Sequence, residues 1–214
     1  MTRKNREPPF MQNFNWQRAR QASADNPLRV LCSACLVGRA TGWEGGPYTS
    51  TFVLELIGLD NVQAVSFCPE DVALGTPRAL TTLHGGNGFD VLDGRGTVRN
   101  TENEDQTALL LRGVEGMVAF AEEKRVELAV LMEISDSCGT TAIYLGHPSN
   151  KDYQQGPGVA AAALHRHGVP IISPRDYRSI AQLRKLLQPS WRPPKGMMNF
   201  VETEWYQKYF LVSS

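Results

Sequence analysis

Short apolar runs rich in β-branched residues alternate along the chain with longer segments whose apolar residues recur every three or four positions. The runs are typical of buried strands, and the wider spacing is typical of helices that cover a sheet. This alternation predicts an α/β fold of the Rossmann-like kind, with a three-layer, mostly parallel sheet and helices on both faces. Strands are expected at 28–32, 62–67, 128–132 and 169–173, and helices at 49–58, 105–125, 158–167 and 176–187.

A polar, glycine-rich stretch separates the second strand from the longest helix. Within it, VLDGRGTV at 91–98 contains the dipeptide Asp93-Gly94. Asp-Gly between apolar residues is common in two-residue β-turns. The pattern therefore predicts a β-hairpin that turns at Asp93-Gly94.

The alternating segments span residues 28–187, which the sequence predicts to be one α/β domain with an extension at each end. Residues 1–27 are rich in arginine and glutamine, and we expect a partly helical arm packed on the domain or on a neighbour. Residues 188–214 begin with prolines and then become rich in aromatic side chains. Because aromatic side chains favour burial, this extension is expected to cover the domain, to form a homodimer, or to line the mouth of a site.

Charge and cysteine content narrow the classes of partner. Lysine and arginine number 22, as do aspartate and glutamate, so no global field attracts DNA or an anionic membrane. Small or neutral ligands fit better. Four cysteines at irregular spacing and no apolar signal stretch predict a cytoplasmic protein whose thiols bind metal or perform redox chemistry.

Three cysteines lie directly after predicted strands. Cys35 follows the first run, Cys68 follows the second, and Cys138 follows the run at 128–132. Open α/β sheets bind ligands outside the carboxyl ends of their parallel strands. The three thiols are therefore predicted to meet in one metal-binding site at that edge.

The residues alone leave several cofactors open. Cys32 and Cys35 form a C-x-x-C pair, which allows a dithiol or zinc protein. A structural zinc site usually takes four ligands in local pairs, whereas Cys35, Cys68 and Cys138 are each more than thirty positions apart. An iron–sulfur cluster tolerates such spacing, and three protein ligands leave one iron open as a Lewis acid.

Six motifs follow one another through the predicted domain. They are SACLVGRATGWEGG at 33–46, FCPED at 67–71, GTPRAL at 75–80, GGNGFDVLDG at 85–94, ISDSCGTTAIY at 134–144 and GPGVAAAAL at 156–164. Together they resemble the thiouracil desulfurase family, also catalogued as domain of unknown function family 523. Members of that family are about the size of the predicted domain, so the resemblance does not explain the two extensions.

The resemblance implies a four-iron four-sulfur (4Fe-4S) cluster bound by Cys35, Cys68 and Cys138. The resemblance further implies that the sulfur of a thiocarbonyl nucleobase binds the open iron while water replaces it at carbon, without net redox change. A small thiolated heterocycle is the implied substrate. Glu70 and Ser135 match the positions implied to perform acid–base work and substrate hydrogen bonding.

Further positions concern the substrate. The resemblance implies contacts from Ser33, Trp43, Glu44, Ser137 and Gly139. The chain departs from the family pattern at Thr41, Gly42, Met132 and Asp136, where many members have cysteine, arginine, lysine and proline. Loss of that lysine removes a positive charge, and Asp136 adds a negative one beside Cys138. A non-catalytic cluster-binding or sensing protein of the same fold is therefore the alternative to an enzyme.

Overall fold

The computed structural model describes residues 7–211. Within them, the strands are β1 Leu28–Ser33, β2 Val62–Phe67, β3 Thr81–His84, β4 Thr97–Asn100, β5 Leu128–Val130, β6 Ala142–Tyr144, β7 Tyr153–Gln155 and β8 Ile171–Ile172. Strands β2, β1, β5 and β8 form, in that order, a parallel sheet. Strands β3 and β4 form an antiparallel pair, as do β6 and β7.

The helices connect and cover these strands. They are α1 Trp16–Arg20, α2 Thr51–Ile57, α3 Pro69–Leu74, α4 Gly88–Leu92, α5 Thr107–Glu123, α6 Val159–Arg166, α7 Tyr177–Leu187 and α8 Glu204–Phe210. Short 3₁₀ helices occur at Ala34–Val37, Pro148–Asn150 and Phe200–Glu202. In the part of the chain that the structure describes, no helix has the length and apolar character needed to cross a membrane.

Alternate strand residues point to the two faces of the parallel sheet. Leu31 and Ala129 pack against α5 and α6 in one buried cluster. Val30 and Val130 pack against α2 and α7 in the other. Since successive strand side chains point to opposite faces, both faces are apolar and both are covered by helices. The predicted three-layer α/β fold is confirmed.

The prediction of a β-hairpin within 91–98 is wrong, because the paired strands lie elsewhere. Residues 88–92 form α4, and the antiparallel pair is 81–84 with 97–100. The Asn87 side chain accepts the Phe89 N–H, and the Asp90 carboxylate accepts the Asn87 N–H. This capping box starts a helix before Asp93-Gly94, so the dipeptide ends a helix instead of turning a hairpin.

Both extensions pack on the domain. In the N-terminal one, Met11, Phe14 and Ala19 are buried against the sheet face that α2 and α7 cover. In the C-terminal one, Phe200 and Tyr206 form a third apolar cluster with Ala142. Residues 1–6 and 212–214 of the extensions lie outside the described residues. The homodimer stays a prediction.

A glycine lets α3 approach α5 closely. A Cβ atom at Gly113 of α5 would lie 2.1 Å from the Pro69 carbonyl oxygen. Only a residue without a side chain fits such an approach. Because α3 begins directly after Cys68, this packing also determines where that cysteine lies.

Candidate active site

The three cysteines converge at the carboxyl end of the parallel sheet. Cys35 lies in the 3₁₀ helix that follows β1, Cys68 directly follows β2, and Cys138 lies in the loop after β5. All three line one cavity of about 180 Å³. The structure thus brings together the residues that the strand pattern placed at one edge.

Burial is the main influence on the pKa values of these thiols. It raises the pKa of Cys35 to about 12, and it raises the pKa values of Cys68 and Cys138 as well. The negative charge of each neighbouring thiolate raises the pKa values of Cys35 and Cys138 further. Since metals bind thiolates, three such ligands require compensating positive charge in the cavity.

The donor set fits a cluster better than a single ion. Among residues 7–211, no three His, Cys, Asp or Glu side chains are grouped closely enough to hold one metal ion. In an iron–sulfur cluster each cysteine binds a different iron atom, so the thiols surround the group without meeting at a point. Three cysteines around one cavity, of which Cys138 is buried and Cys35 and Cys68 are partly buried, are compatible with that arrangement.

Cys32 lies elsewhere. It is fully buried in the cluster beneath α2 and α7 and does not line the cavity. Burial raises the pKa of its thiol to about 12. A dithiol motif needs an accessible thiolate, so the structure does not favour the C-x-x-C alternative.

Cys68 is the N-cap of α3. Its sulfur accepts the Asp71 backbone N–H at 3.4 Å, and Pro69 occupies the first position of the helix. Proline is well placed there because its missing N–H would have no helical partner. The regular junction between β2 and α3 therefore points this thiol into the cavity.

Glu70 and Arg78 form an ion pair in the cavity wall. The Arg78 guanidinium donates to Glu70 Oε2 at 2.7 Å, and its side chain is only 6% exposed. Arg78 also donates to the backbone oxygens of Thr41 and Gly75. These contacts fix the carboxylate of Glu70 beside the thiols. The cavity position of Arg78 was not predicted, although the motif GTPRAL contains it.

Glu133 holds the loop that carries Cys138. Its buried carboxylate accepts the backbone N–H groups of Ile134, Thr140, Thr141 and Ala142. It also accepts the Thr140 hydroxyl group. Buried carboxylates need such donors, and in return the donors fix both ends of the loop. Glu133 was not among the predicted site residues.

Two more contacts fix the interior of this loop. The Ser135 hydroxyl oxygen accepts the Cys138 N–H at 3.1 Å. The carbonyl oxygens of Asp136 and Ser137 accept N–H groups from the first turn of α6. The amides at the start of α6 therefore bind the loop, which places Cys138 and leaves those groups satisfied by the protein.

The departures from the family pattern lie at the cavity. Thr41, Gly42, Met132 and Asp136 all line it. Asp136 is 5% exposed. The Tyr144 backbone N–H donates a hydrogen bond to its carboxyl group. The Oδ1 atom of the same group has no hydrogen-bond partner among the described residues. Burial, and then the charge of Glu70, raise the pKa of Asp136 well above its usual value.

Most of the predicted site residues line the cavity, and three do not. Those at the cavity are Ser33, Cys35, Trp43, Cys68, Glu70, Ser135 and Cys138. Glu44 does not line the cavity, but its carboxylate accepts a hydrogen bond from the hydroxyl group of Tyr48, which does. Ser137 and Gly139 belong to the loop behind it, and a Cβ at Gly139 would lie 2.5 Å from the Ser135 carbonyl oxygen. Tyr48 and Tyr144 line the cavity without having been predicted.

Comparison with known proteins agrees with this geometry. A protein from Bacillus subtilis (strain 168), called uncharacterized protein YbbK, is 35% identical over 152 residues, which are 71% of this chain and 99% of YbbK. The solved structure of the [4Fe-4S]-dependent thiouracil desulfidase TudS matches with a TM-score of 0.59 and 29% identity, over 72% of this chain and 95% of TudS. The model of the 2-thiouracil desulfurase family matches residues 30–176. The chain therefore belongs to the 2-thiouracil desulfurase family.

Proposed function

We propose that the protein is an iron–sulfur enzyme that removes sulfur from a small thiocarbonyl heterocycle by hydrolysis. The observation that carries this proposal is the convergence of three cysteines on one cavity in a chain of this family. Water supplies the oxygen, the ring carbon exchanges C=S for C=O, and sulfur leaves as sulfide. No electron is gained or lost.

Cys35, Cys68 and Cys138 would hold a four-iron four-sulfur cluster. With three protein ligands, such a cluster supplies one open iron, a soft Lewis acid for the departing sulfur. The Ser33 side chain hydrogen-bonds the Cys138 sulfur and partly offsets the effect of burial on its pKa. Ser33 would thereby stabilise the thiolate form that a cluster ligand needs.

Glu70 is the candidate for moving the proton of the attacking water. One carboxylate oxygen is fixed by Arg78 at 2.7 Å, and the side chain borders the cavity. Arg78 would keep the carboxylate in one orientation, so that its other oxygen accepts the proton. Ser135 would position the ring through its hydroxyl group, and Trp43 offers a flat apolar face at the same cavity.

The first experiment concerns the cofactor. We would reconstitute the protein anaerobically with iron and sulfide and measure both elements and the visible spectrum. We expect about four irons per chain in the wild type and in Cys32→Ala, because Cys32 lies outside the cavity, and a large loss in Cys138→Ala. A colourless wild type, or equal iron in all three proteins, would contradict the proposal.

The second experiment concerns turnover. Thiouracil is mixed with the reconstituted protein, and released sulfide and the loss of thiocarbonyl absorbance are measured. Glu70→Gln should lower kcat by roughly 10²-fold or more with the cluster spectrum unchanged, which is the range expected for a general base. A loaded wild type that releases no sulfide would instead favour the non-catalytic alternative, which the buried Asp136 and the apolar Met132 at the cavity motivate.

A further inference from the structure

Two buried side-chain oxygens at the three-cysteine cavity have no hydrogen-bond partner. They are Thr41 Oγ1 and Asp136 Oδ1. Among the buried side-chain atoms of residues 7–211 that lack a partner, only these two belong to residues lining this cavity. Buried polar atoms are normally hydrogen-bonded, and an exception in a cavity points to a polar ligand. We call Thr41 Oγ1 and Asp136 Oδ1 the two unpaired oxygens.

Other polar groups of the cavity wall already have partners in the protein. The Glu70 carboxylate accepts from Arg78. The hydroxyl oxygens of Ser33 and Ser135 each accept a backbone N–H, and the Tyr48 hydroxyl donates to a carboxylate. The two unpaired oxygens are therefore the atoms whose hydrogen bonding is left to a ligand.

Both unpaired oxygens belong to residues whose backbone is held in place. The Thr41 carbonyl oxygen accepts from the Arg78 guanidinium at 3.1 Å. The Asp136 carbonyl oxygen accepts the Val159 N–H at 2.9 Å, in the first turn of α6. The Tyr144 N–H also donates to the carboxyl group of Asp136, which is 5% exposed. Neither residue can leave the cavity wall without breaking these bonds.

These oxygens are also particular to this chain. Thr41 and Asp136 are two of the four positions at which it departs from the family pattern, in which cysteine and proline are common. A thiol is only a weak hydrogen-bonding group, and the proline side chain has neither donor nor acceptor. The two departures thus add hydrogen-bonding capacity at the cavity.

A thiouracil-type ring has a matching edge. In 2-thiouracil and in 4-thiouracil alike, the N3–H group lies between the C=S group and a C=O group. The edge therefore presents one donor and one acceptor side by side. Because the Thr41 hydroxyl can either donate or accept, it can take the role that Asp136 leaves. The match thus holds whether Asp136 accepts from the N–H group or donates to the carbonyl oxygen.

We propose that Thr41 Oγ1 and Asp136 Oδ1 together bind the N3–H group and the adjacent carbonyl oxygen of a thiouracil-type ring. The inference rests on the proposed desulfuration, which places the thiocarbonyl sulfur at the cluster. The ring is then held by the edge next to the reacting carbon. Thr41 and Asp136 select thiocarbonyl rings that carry this N–H and C=O pair over rings that lack it.

The test measures binding and requires no turnover. Uracil, 1-methyluracil and 3-methyluracil are titrated by calorimetry into the reconstituted protein. A methyl group at N3 replaces the hydrogen and crowds the neighbouring carbonyl oxygens, whereas a methyl group at N1 adds the same bulk at the other nitrogen. In the wild type, we expect methylation at N3 to weaken binding; this loss of affinity is the N3 penalty.

Variants connect the N3 penalty to the two residues. Thr41→Val and Asp136→Leu should each weaken uracil binding by about three- to tenfold, the range of one hydrogen bond, and leave 3-methyluracil nearly unchanged. The N3 penalty should fall by the same factor, and the penalty for methylation at N1 should stay the same. Thr101→Val, the same substitution at an exposed position outside the cavity, should behave as the wild type.

A second measurement separates recognition from a structural role. Valine has nearly the shape of threonine, and the Thr41 hydroxyl has no partner to lose. The melting temperature of ligand-free Thr41→Val should therefore equal or exceed that of the wild type. Iron content and near-ultraviolet circular dichroism check that Asp136→Leu still folds and loads the cluster.

An unchanged N3 penalty in either cavity variant would overturn the inference, as would an equal change in the N1 penalty. Failure of the proposed desulfuration gives a different result. Sulfide release from 2-thiouracil would then be absent in the wild type, while the N3 penalty still depended on Thr41 and Asp136.

Discussion

Cys68 and Cys138 face the same cavity, but the segments that carry them are held in different ways. Cys68 belongs to a regular junction, in which β2 runs directly into α3 and the cysteine sulfur caps the helix. Cys138 belongs to an irregular loop, which the buried carboxylate of Glu133 holds through four backbone N–H groups. The first depends on close apolar packing, and the second depends on buried polar bonds.

This difference has energetic consequences. Packing contacts are many and individually weak, so one lost contact can be partly compensated by the neighbours. A buried acceptor that serves several donors is different, because its removal leaves each donor without a partner. We therefore expect the loop to be far more sensitive than the junction to single substitutions.

The largest effect is expected from Glu133→Ala. The four N–H groups lose their acceptor, and since each unsatisfied buried group costs about 1–3 kcal/mol, stability should fall by about 5 kcal/mol. The measurement is urea unfolding of protein prepared without iron. Glu123→Ala, whose side chain is 68% exposed, is the control and should change stability by less than about 0.5 kcal/mol. Similar losses in both would refute the dominance of the Glu133 contacts.

Asp176 is another buried carboxyl group that holds backbone N–H groups, and it makes the stability of the fold depend on pH. Its carboxylate accepts the N–H groups of Ser173 and Phe200, which joins the end of β8 to the C-terminal extension. Burial first, and then the charges of Glu133 and Glu202, raise the pKa of Asp176 to about 7. The folded state therefore holds this proton at pH values where the unfolded chain has released it.

The direction of the change in stability with pH is set by this difference in bound protons. Between about pH 4 and pH 7 the folded state binds more protons, so stability falls as pH rises, by roughly 4 kcal/mol for a shift of this size, and becomes flat above pH 7. Unfolding curves at several pH values measure this slope. The variant Asp176→Asn does not titrate at this position. Its fall in stability between about pH 4 and pH 7 should therefore be smaller than that of the wild type by roughly 4 kcal/mol. Parallel curves for the two proteins would show that another group causes the dependence.

At the contact between α5 and α3, the helix that follows Cys68, Gly113→Ala should lower stability by less than Glu133→Ala does. The new Cβ would meet the Pro69 carbonyl oxygen at 2.1 Å, so α3 must move away from α5. Overpacking of this kind costs about 1–3 kcal/mol. The control is Gly116→Ala in the same helix, where a Cβ would meet only the Phe67 ring at 3.6 Å. Because alanine favours helix, this variant should gain up to about 1 kcal/mol. Opposite signs in the two variants distinguish close approach from helix propensity.

The same contrast explains what the sequence could predict. The β-branched runs and the cysteines after them predicted the parallel sheet and the shared cavity, because apolar periodicity directly reports burial. The role of Glu133 leaves no such signal, since its partners are backbone N–H groups of four different residues. The ion pair of Glu70 with Arg78 depends on a turn between residues eight positions apart. The hairpin prediction failed because a local capping box at Asn87 outweighed the Asp-Gly turn signal.

The smallest effect is expected where Cys68 itself is changed. Serine is a better N-cap than cysteine, so in protein prepared without iron Cys68→Ser should match or slightly exceed the wild type in stability, whereas Cys68→Ala should lose about 1 kcal/mol with the cap. Both variants should fail to retain the full cluster on reconstitution, because neither supplies a thiolate. Urea unfolding and iron analysis of the same two variants separate the structural contact of this sulfur from its part in metal binding. If serine proves as costly as alanine, the sulfur does not cap α3, and the packing of α3 on α5 at Gly113 alone positions Cys68.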